Sequence, residues 1–253
     1  MALMEIGQWL ITNIGTLKAS HDRASYKRFC ETELRDLIGH EALLAIIGKV
    51  ANNNVSILAS INCGFPAALL HDAARGSHLA SRPLLHLWLR RHEPLFVDDV
   101  TMQKHASAFE RDEIERYGLG CLAIHGMVDI SGAMGSYFSF SGVPPSSADE
   151  VLRRVALVVP HLHTALLGIW RSERVAWADQ ITPKETDLLQ YVAAGLSTPE
   201  ISKSSSRSQA TIRNQLHHLM VKLSVNTRTE LVSRASELGL LDAGIRTGSS
   251  KTT

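Results

Sequence analysis

A helix-start device, written three times between Thr182 and Glu230, restricts this chain more than any other feature. Thr182-Pro183-Lys184-Glu185 and Ser197-Thr198-Pro199-Glu200 each offer a hydroxyl, a first-turn proline and a glutamate three residues after the hydroxyl. Thr227-Arg228-Thr229-Glu230 repeats the hydroxyl and the glutamate. In such a capping box the hydroxyl and the carboxylate each satisfy an orphan amide of the first helical turn. Proline there loses no hydrogen bond, because its position has no intrahelical donor to make. Ser208 offers a fourth cap, and Gly195 and Gly239 offer stops, since glycine accepts left-handed backbone.

Four short helices follow from these marks. The first carries Leu188, Leu189 and Val192 on one face, and the second runs only to about Ser204. The third spans Gln209 to Leu223, with Ile212, Leu216, Leu219 and Leu223 inward, and the fourth opens at Arg228. Two helices joined by a tight turn, the second longer and open on one side, suit a duplex. The major groove admits one helix while the preceding helix crosses the backbone. Charge agrees with this. The net charge of the chain is only +1, so any attraction to a polyanion must be local. Between Ile201 and Thr229 lie Lys203, Arg207, Arg213, Lys222 and Arg228, with no acidic residue among them.

These residues resemble the LuxR-type (GerE-type) helix-turn-helix. The matching stretches are Thr182-Pro183-Lys184-Glu185, Gly195 to Ser202, Thr211-Ile212-Arg213, Lys222-Leu223-Ser224-Val225 and Arg228-Thr229-Glu230. The resemblance implies a bacterial transcription regulator that binds double-stranded promoter DNA as a homodimer. It implies that Gln209, Thr211, Arg213, Asn214 and His217 face DNA, with Ser197, Lys222, Arg228 and Thr229 near phosphates and the last helix helping to form the dimer. Arg207 adds charge to the same face. Three positions depart from the family: Ser205 and Arg207 stand where the turn buries apolar side chains, and Gln215 replaces a common histidine.

Residues 1–170 mix the two periodicities. Apolar runs Leu43 to Ile47 and Val55 to Ala59 flank Asn52-Asn53-Asn54, a hairpin with a loop longer than two residues. Helices are expected over Ala24 to Ile38, Leu84 to Arg91 and Ala106 to Tyr117, with a short strand at Leu95 to Val97. Leu122 to Ile124 and Ser136 to Phe140 read as a second hairpin around Ser131-Gly132. A helix from about Ser147 to Trp170 follows, kinked or split at Pro160. The expected fold is α+β, an antiparallel sheet with helices on its faces, followed by the all-α four-helix domain. Its general shape resembles GAF-like sensors, nearest to the EpsA-like group found beside exopolysaccharide genes. The boundaries read as 1–170, a polar join at 171–178, the helix-turn-helix domain at 179–241 and a disordered tail at 242–253.

Other function classes fit poorly. Asp98-Asp99 imitates the acidic strand end of a phosphoacceptor receiver, but too little chain follows it before the DNA domain. No aromatic and acidic cluster gathers Trp9, Trp88 and Trp170 for a lactone head group. His161 and His163 are spaced so that their rings diverge on a helix, and Cys121 and His125 stand too far apart on a strand for a nucleophile–base pair. His71-Asp72 reads as helix surface. With no GxSxG, HExxH or phosphate-binding glycine loop, no catalytic, metal or cofactor role is expected. Cys30, Cys63 and Cys121 read as reduced and buried. The opening residues carry Glu5 and no basic run, a poor signal peptide, and Val155 to Trp170 is too short to cross a bilayer, so the expectation is cytoplasmic. Whether the first domain takes a small ligand, or serves only as a ligand-free dimerisation or protein-interaction module, stays open. The signal, the operator and the sign of regulation are likewise unread.

Overall fold

The computed structural model describes residues 2–69, 78–130, 132–238 and 240–241. The tail 242–253, Gly239, Ser131 and the His71-Asp72 pair lie outside the described residues. The chain divides into two compact units, Met1–Ile169 and Trp170–Thr253.

The first unit holds helices α1 (Ala2–Lys18), α2 (Arg23–Glu31), α3 (Glu33–Ile38), α4 (Pro83–Arg91), α5 (Asp99–His105) and α6 (Ala108–Arg116). Its strands are β1 (Ala42–Ala51), β2 (Asn54–Cys63), β3 (Leu95–Val97), β4 (Leu122–Val128) and β5 (Met134–Ser141). They form one antiparallel sheet in the order β2-β1-β5-β4-β3. The first hairpin corrects the sequence reading. Its strands run ten residues each and its loop is only Asn52-Asn53. Both asparagines take left-handed φ, 51° and 61°, as a two-residue hairpin turn requires, and asparagine tolerates that better than most side chains. Asn54 therefore pairs with Ala51 as strand rather than loop.

Alternation sends strand residues to two faces. Ala42, Leu44, Leu122 and Ile124 are buried with Leu84 and Trp88 of α4, Ala106 just after α5 and Ile114 of α6. Leu43, Ala45, Ile47, Phe138 and Phe140 turn the other way and are buried too. On that side the Tyr26 hydroxyl of α2 donates to the Leu162 carbonyl at 3.2 Å, and Ser136 meets His163 Nδ1 at 2.8 Å. The helix expected over Ala106 to Tyr117 is α6, and the separate helix before it, α5, was not foreseen. Asp98 caps α5 by accepting from the Thr101 amide at 2.8 Å. Ser107 and Glu110 form a capping box for α6, and Glu110 also accepts from the Leu84 amide at 3.1 Å. The acidic pair at 98–99 is thus a helix start.

Helix α7 (Ala148–Gln180) corrects two further expectations. Pro160 neither splits nor ends it. Proline removes one intrahelical hydrogen bond, and burial of Val155, Val158, Val159, Leu162 and Leu166 along the same helix outweighs that loss. Residues 171–178, read as a polar join, are helical and belong to α7. The stretch 145–177 is long and apolar enough to cross a membrane, contrary to the shorter span read from sequence. Its buried valines and leucines are nevertheless the core of the first unit, so the helix is a core helix.

The second unit contains α8 (Pro183–Ala193), α9 (Thr198–Ser205), α10 (Gln209–Lys222) and α11 (Arg228–Glu237). Ile181, Leu188, Leu189, Val192, Ile201, Ile212, Leu216, Leu219, Leu223, Leu231 and Ala235 make one core. The face foreseen for the third helix is the buried one.

Candidate nucleic-acid interface

The caps act as their chemistry dictates. Thr182 N–H donates to Glu185 Oε2 at 2.8 Å, and Ser197 N–H donates to Glu200 Oε2 at 2.7 Å. Glu230 accepts from the amides of Asn226 and Thr227, while its own amide donates to Thr227 Oγ1 at 3.1 Å. Ser208 accepts from the Thr211 amide at 3.1 Å and starts α10. At Gly195 (φ +79°) the amides of Gly195 and Leu196 donate back to Val192 and Tyr191, closing α8. Serine does the same work after α9 and α10, where Ser206 and Ser224 both take φ +55°.

The three departures from the family pattern meet around the turn between α9 and α10: Ser205 ends α9, Arg207 lies in the turn and Gln215 lies on α10. Ser205 Oγ donates to the Ile201 carbonyl at 2.7 Å, so the hydroxyl satisfies itself on its own helix. Arg207 N–H donates to the Ser202 carbonyl at 3.2 Å, and the Ser202 hydroxyl donates to the Arg207 carbonyl. Arg207 Nη1 then reaches Gln215 Oε1 at 3.2 Å. Polar contacts tie the turn at the positions where the family pattern has apolar side chains.

On α10, Gln209, Thr211, Arg213, Asn214 and His217 are all exposed, opposite the buried Ile212, Leu216 and Leu219. Among the described residues, Arg213 Nε donates to the Gln209 carbonyl alone, at 3.4 Å. Ser197 and Thr229, at the starts of α9 and α11, are exposed as well. The remaining cations are more committed. Lys222 Nζ donates to both Glu185 oxygens at 3.0 Å, so a residue assigned to phosphate already carries a counter-charge. Arg228 donates to the Leu196 carbonyl at 2.7 Å and to Thr198 Oγ1 at 3.4 Å, fastening the last helix to the loop before α9. Burial alone pushes the Glu185 carboxyl up. The Thr182 amide, Lys222 and the Thr182 hydroxyl together hold it below the usual carboxylate range.

Three residues of α9 and α10 were not assigned to this surface from the sequence. Lys203 is exposed on α9, Gln215 braces Arg207, and Val221 is 64% exposed near the end of α10. Lys203 was legible as part of the basic stretch, and Val221 as an apolar residue on the outward face of the helix. Gln215 had no signal, because its partner is fixed only by the turn.

Residues 179–235 match the bacterial regulatory proteins of the luxR family. The C-terminal domain is a LuxR-family regulatory domain. Stretches of two named proteins are similar to it as well. The chain is 36% identical over 62 residues to the transcriptional regulatory protein DesR of Bacillus subtilis, covering 24% of this chain and 31% of DesR. It is 28% identical over 103 residues to the quorum sensing-dependent transcriptional regulator RpaR of Rhodopseudomonas palustris, covering 41% of this chain and 42% of RpaR. The matches thus span less than half the length of either relative. Both relatives are transcriptional regulators. The crystal structure of Escherichia coli SdiA superposes with a TM-score of 0.51 at 17% identity, covering 92% of this chain and 98% of that one, and shares the fold. SdiA has also been solved in complex with octanoyl-rac-glycerol.

The histidine and cysteines weighed outside the LuxR-family domain are buried or partly buried. His125 is buried and accepts from Trp88 Nε1 at 3.2 Å, and desolvation pulls its pKa down to about 4. Cys121 precedes β4 and is only partly buried, and Cys30 and Cys63 are buried thiols. Among the described residues, no three histidine, cysteine or acidic side chains gather as a metal site.

Proposed function

We propose that this protein is a sequence-specific DNA-binding transcriptional regulator that acts as a cytoplasmic homodimer and whose GAF-like first domain gates its activity. The observation that carries this reading is the exposed face of α10. Arg213 and Asn214 stand there with their functional groups outward, on a helix whose ends and opposite face are locked by caps and core. Arginine and asparagine are the side chains that pair bidentately with guanine and adenine edges in the major groove. Gln209, Thr211 and His217 extend the same face. Ser197, Arg207, Arg228 and Thr229 would meet phosphates, which position the helix without reading sequence.

The test is selection of duplexes from a random pool by the full chain, followed by binding of the Arg213→Ala variant. Paired half-sites about 10 bp apart, with specific binding abolished in the variant and its fold intact, are expected. A mobility shift unchanged by Arg213→Ala would remove α10 from the recognition role.

The first domain admits a second reading, a ligand-free dimerisation or protein-interaction module. Trp88 favours it. Its indole is 2% exposed, lies 5.5 Å from the Tyr137 ring and packs so closely on Gly126 that a Cβ there would come within 2.9 Å. The layer between the sheet and α4 is therefore filled at that point by the protein's own side chain. A thermal-shift screen separates the two readings, since a bound ligand raises the midpoint with the logarithm of its concentration. Monoacylglycerols, the class seen with SdiA, are a sensible first set.

A further inference from the structure

Two positions that depart from the LuxR-family pattern meet in space. Arg207 lies in the turn and Gln215 lies two helical turns into α10, and Arg207 Nη1 donates to Gln215 Oε1 at 3.2 Å. We propose that Gln215 is a positioning residue that aims the Arg207 guanidinium at a backbone phosphate of the bound duplex. This rests on the DNA-binding reading above and adds a role to it.

Both ends of the Arg207 side chain are held. At its base, the Arg207 amide and carbonyl are bonded to the Ser202 carbonyl and hydroxyl. The residue before it, Ser206, sits in left-handed backbone with φ +55°. At its head, one of five N–H donors is taken by Gln215, and among the described residues the others are left for the oxygens of a phosphate. The chemistry of the brace matters. A glutamine oxygen orients the guanidinium and leaves its charge uncompensated, whereas Glu185 compensates Lys222 on the same domain. Holding a long side chain in its bound conformation before binding lowers the ordering cost at the moment of contact.

The experiment uses the full-length chain and the tightest duplex selected from a random pool by the wild type. Affinities are measured across salt for Gln215→Ala, Gln215→Glu, Arg207→Gln and the Gln215→Ala/Arg207→Gln double variant. Gln215→Ala should weaken binding roughly three- to tenfold in the wild-type background and have no effect in the Arg207→Gln background. Its preference among operator variants should be unchanged. Gln215→Glu, which supplies a counter-charge, should lower the log–log salt slope by about 0.9 per subunit, as Arg207→Gln does. Melting midpoints should stay at the wild-type value, since alanine and glutamate are both good helix formers. Equal losses from Gln215→Ala in both backgrounds, or a changed base preference at one position, would overturn the brace and make Gln215 an independent contact. A wild-type chain that retains no duplex would instead overturn the DNA-binding reading beneath it.

Discussion

Lys222 and Arg213 belong to one cationic stretch, yet the structure gives them opposite consequences on substitution. Lys222 donates to both oxygens of Glu185 at 3.0 Å, and the two side chains are 30% and 23% exposed. Breaking a fully buried pair costs about 3–5 kcal/mol and an exposed pair about 0–1 kcal/mol. At a quarter exposed, Lys222→Met should cost about 1–2 kcal/mol, partly because Glu185 also anchors the cap of α8. For a domain of this size that lowers the melting midpoint by roughly 4–15 °C. Arg213 has only a 3.4 Å contact to its own helix, so Arg213→Ala should leave the midpoint unchanged. In DNA binding the order reverses. Losing one phosphate or base-edge cation per subunit should reduce the salt slope by about 0.9, close to two for a dimer. Across a fourfold change in salt that amounts to roughly a tenfold change in relative affinity. Calorimetry and salt-titrated fluorescence anisotropy on both variants provide the crossed readout. A Lys222→Met protein that melts like wild type but loses salt slope would refute the commitment of Lys222 to the Glu185 ion pair.

Gly126→Ala should disrupt the first unit. The new Cβ would stand 2.0 Å from the Ser136 carbonyl and 2.9 Å from the Trp88 ring, so strand and indole must both move. A loss of about 1–3 kcal/mol or more is expected in urea unfolding, and a wild-type midpoint would contradict the close seating of Trp88. Acid should weaken the two units in different windows. His40 and His125 are buried and neutral, with desolvation the leading cause of pKa values near 4, so the unfolded chain binds protons first. Their stabilisation is complete above about pH 6.5 and falls as pH drops toward 4, by roughly 2 kcal/mol each at pH 5. The cap carboxylates behave otherwise. Glu200, held down by the Ser197 hydroxyl, and Glu230, held down by the Asn226 amide, have folded pKa values below the ordinary 4.5. Their contribution persists above about pH 4.5 and is lost as pH falls through the folded values. Calorimetry at pH 5 should therefore find the first unit weakened and the second intact. A first unit that melts at pH 5 as it does at pH 7 would refute the burial of the two histidines.

Much of the second unit was legible because its instructions are local. A capping box needs only residues three apart, and a buried helix face needs only the helical repeat. So Thr182, Ser197, Ser208 and Thr227 marked their helices, and Ile212, Leu216, Leu219 and Leu223 marked the inner face of α10. The first unit was less legible wherever a distant partner decided the outcome. Nothing adjacent to Asn54 says that Ala51 pairs with it, so the hairpin loop read too long. Pro160 has the local signature of a break, but the valines around it gain more by staying in the core than one missing hydrogen bond costs. Asp98 looked like a strand end until the Thr101 amide turned toward it.

The same division runs through the DNA surface. Sequence by itself determined that a basic helix with a polar outward face exists, because charge and periodicity are written in order along the chain. Which cations remain available was decided only in three dimensions. Glu185 lies far from Lys222 in sequence, Leu196 and Thr198 lie far from Arg228, and Gln215 reaches Arg207 only across the turn. An electrostatic partner acts through distance in space, and the folding of the four helices on their shared core sets that distance.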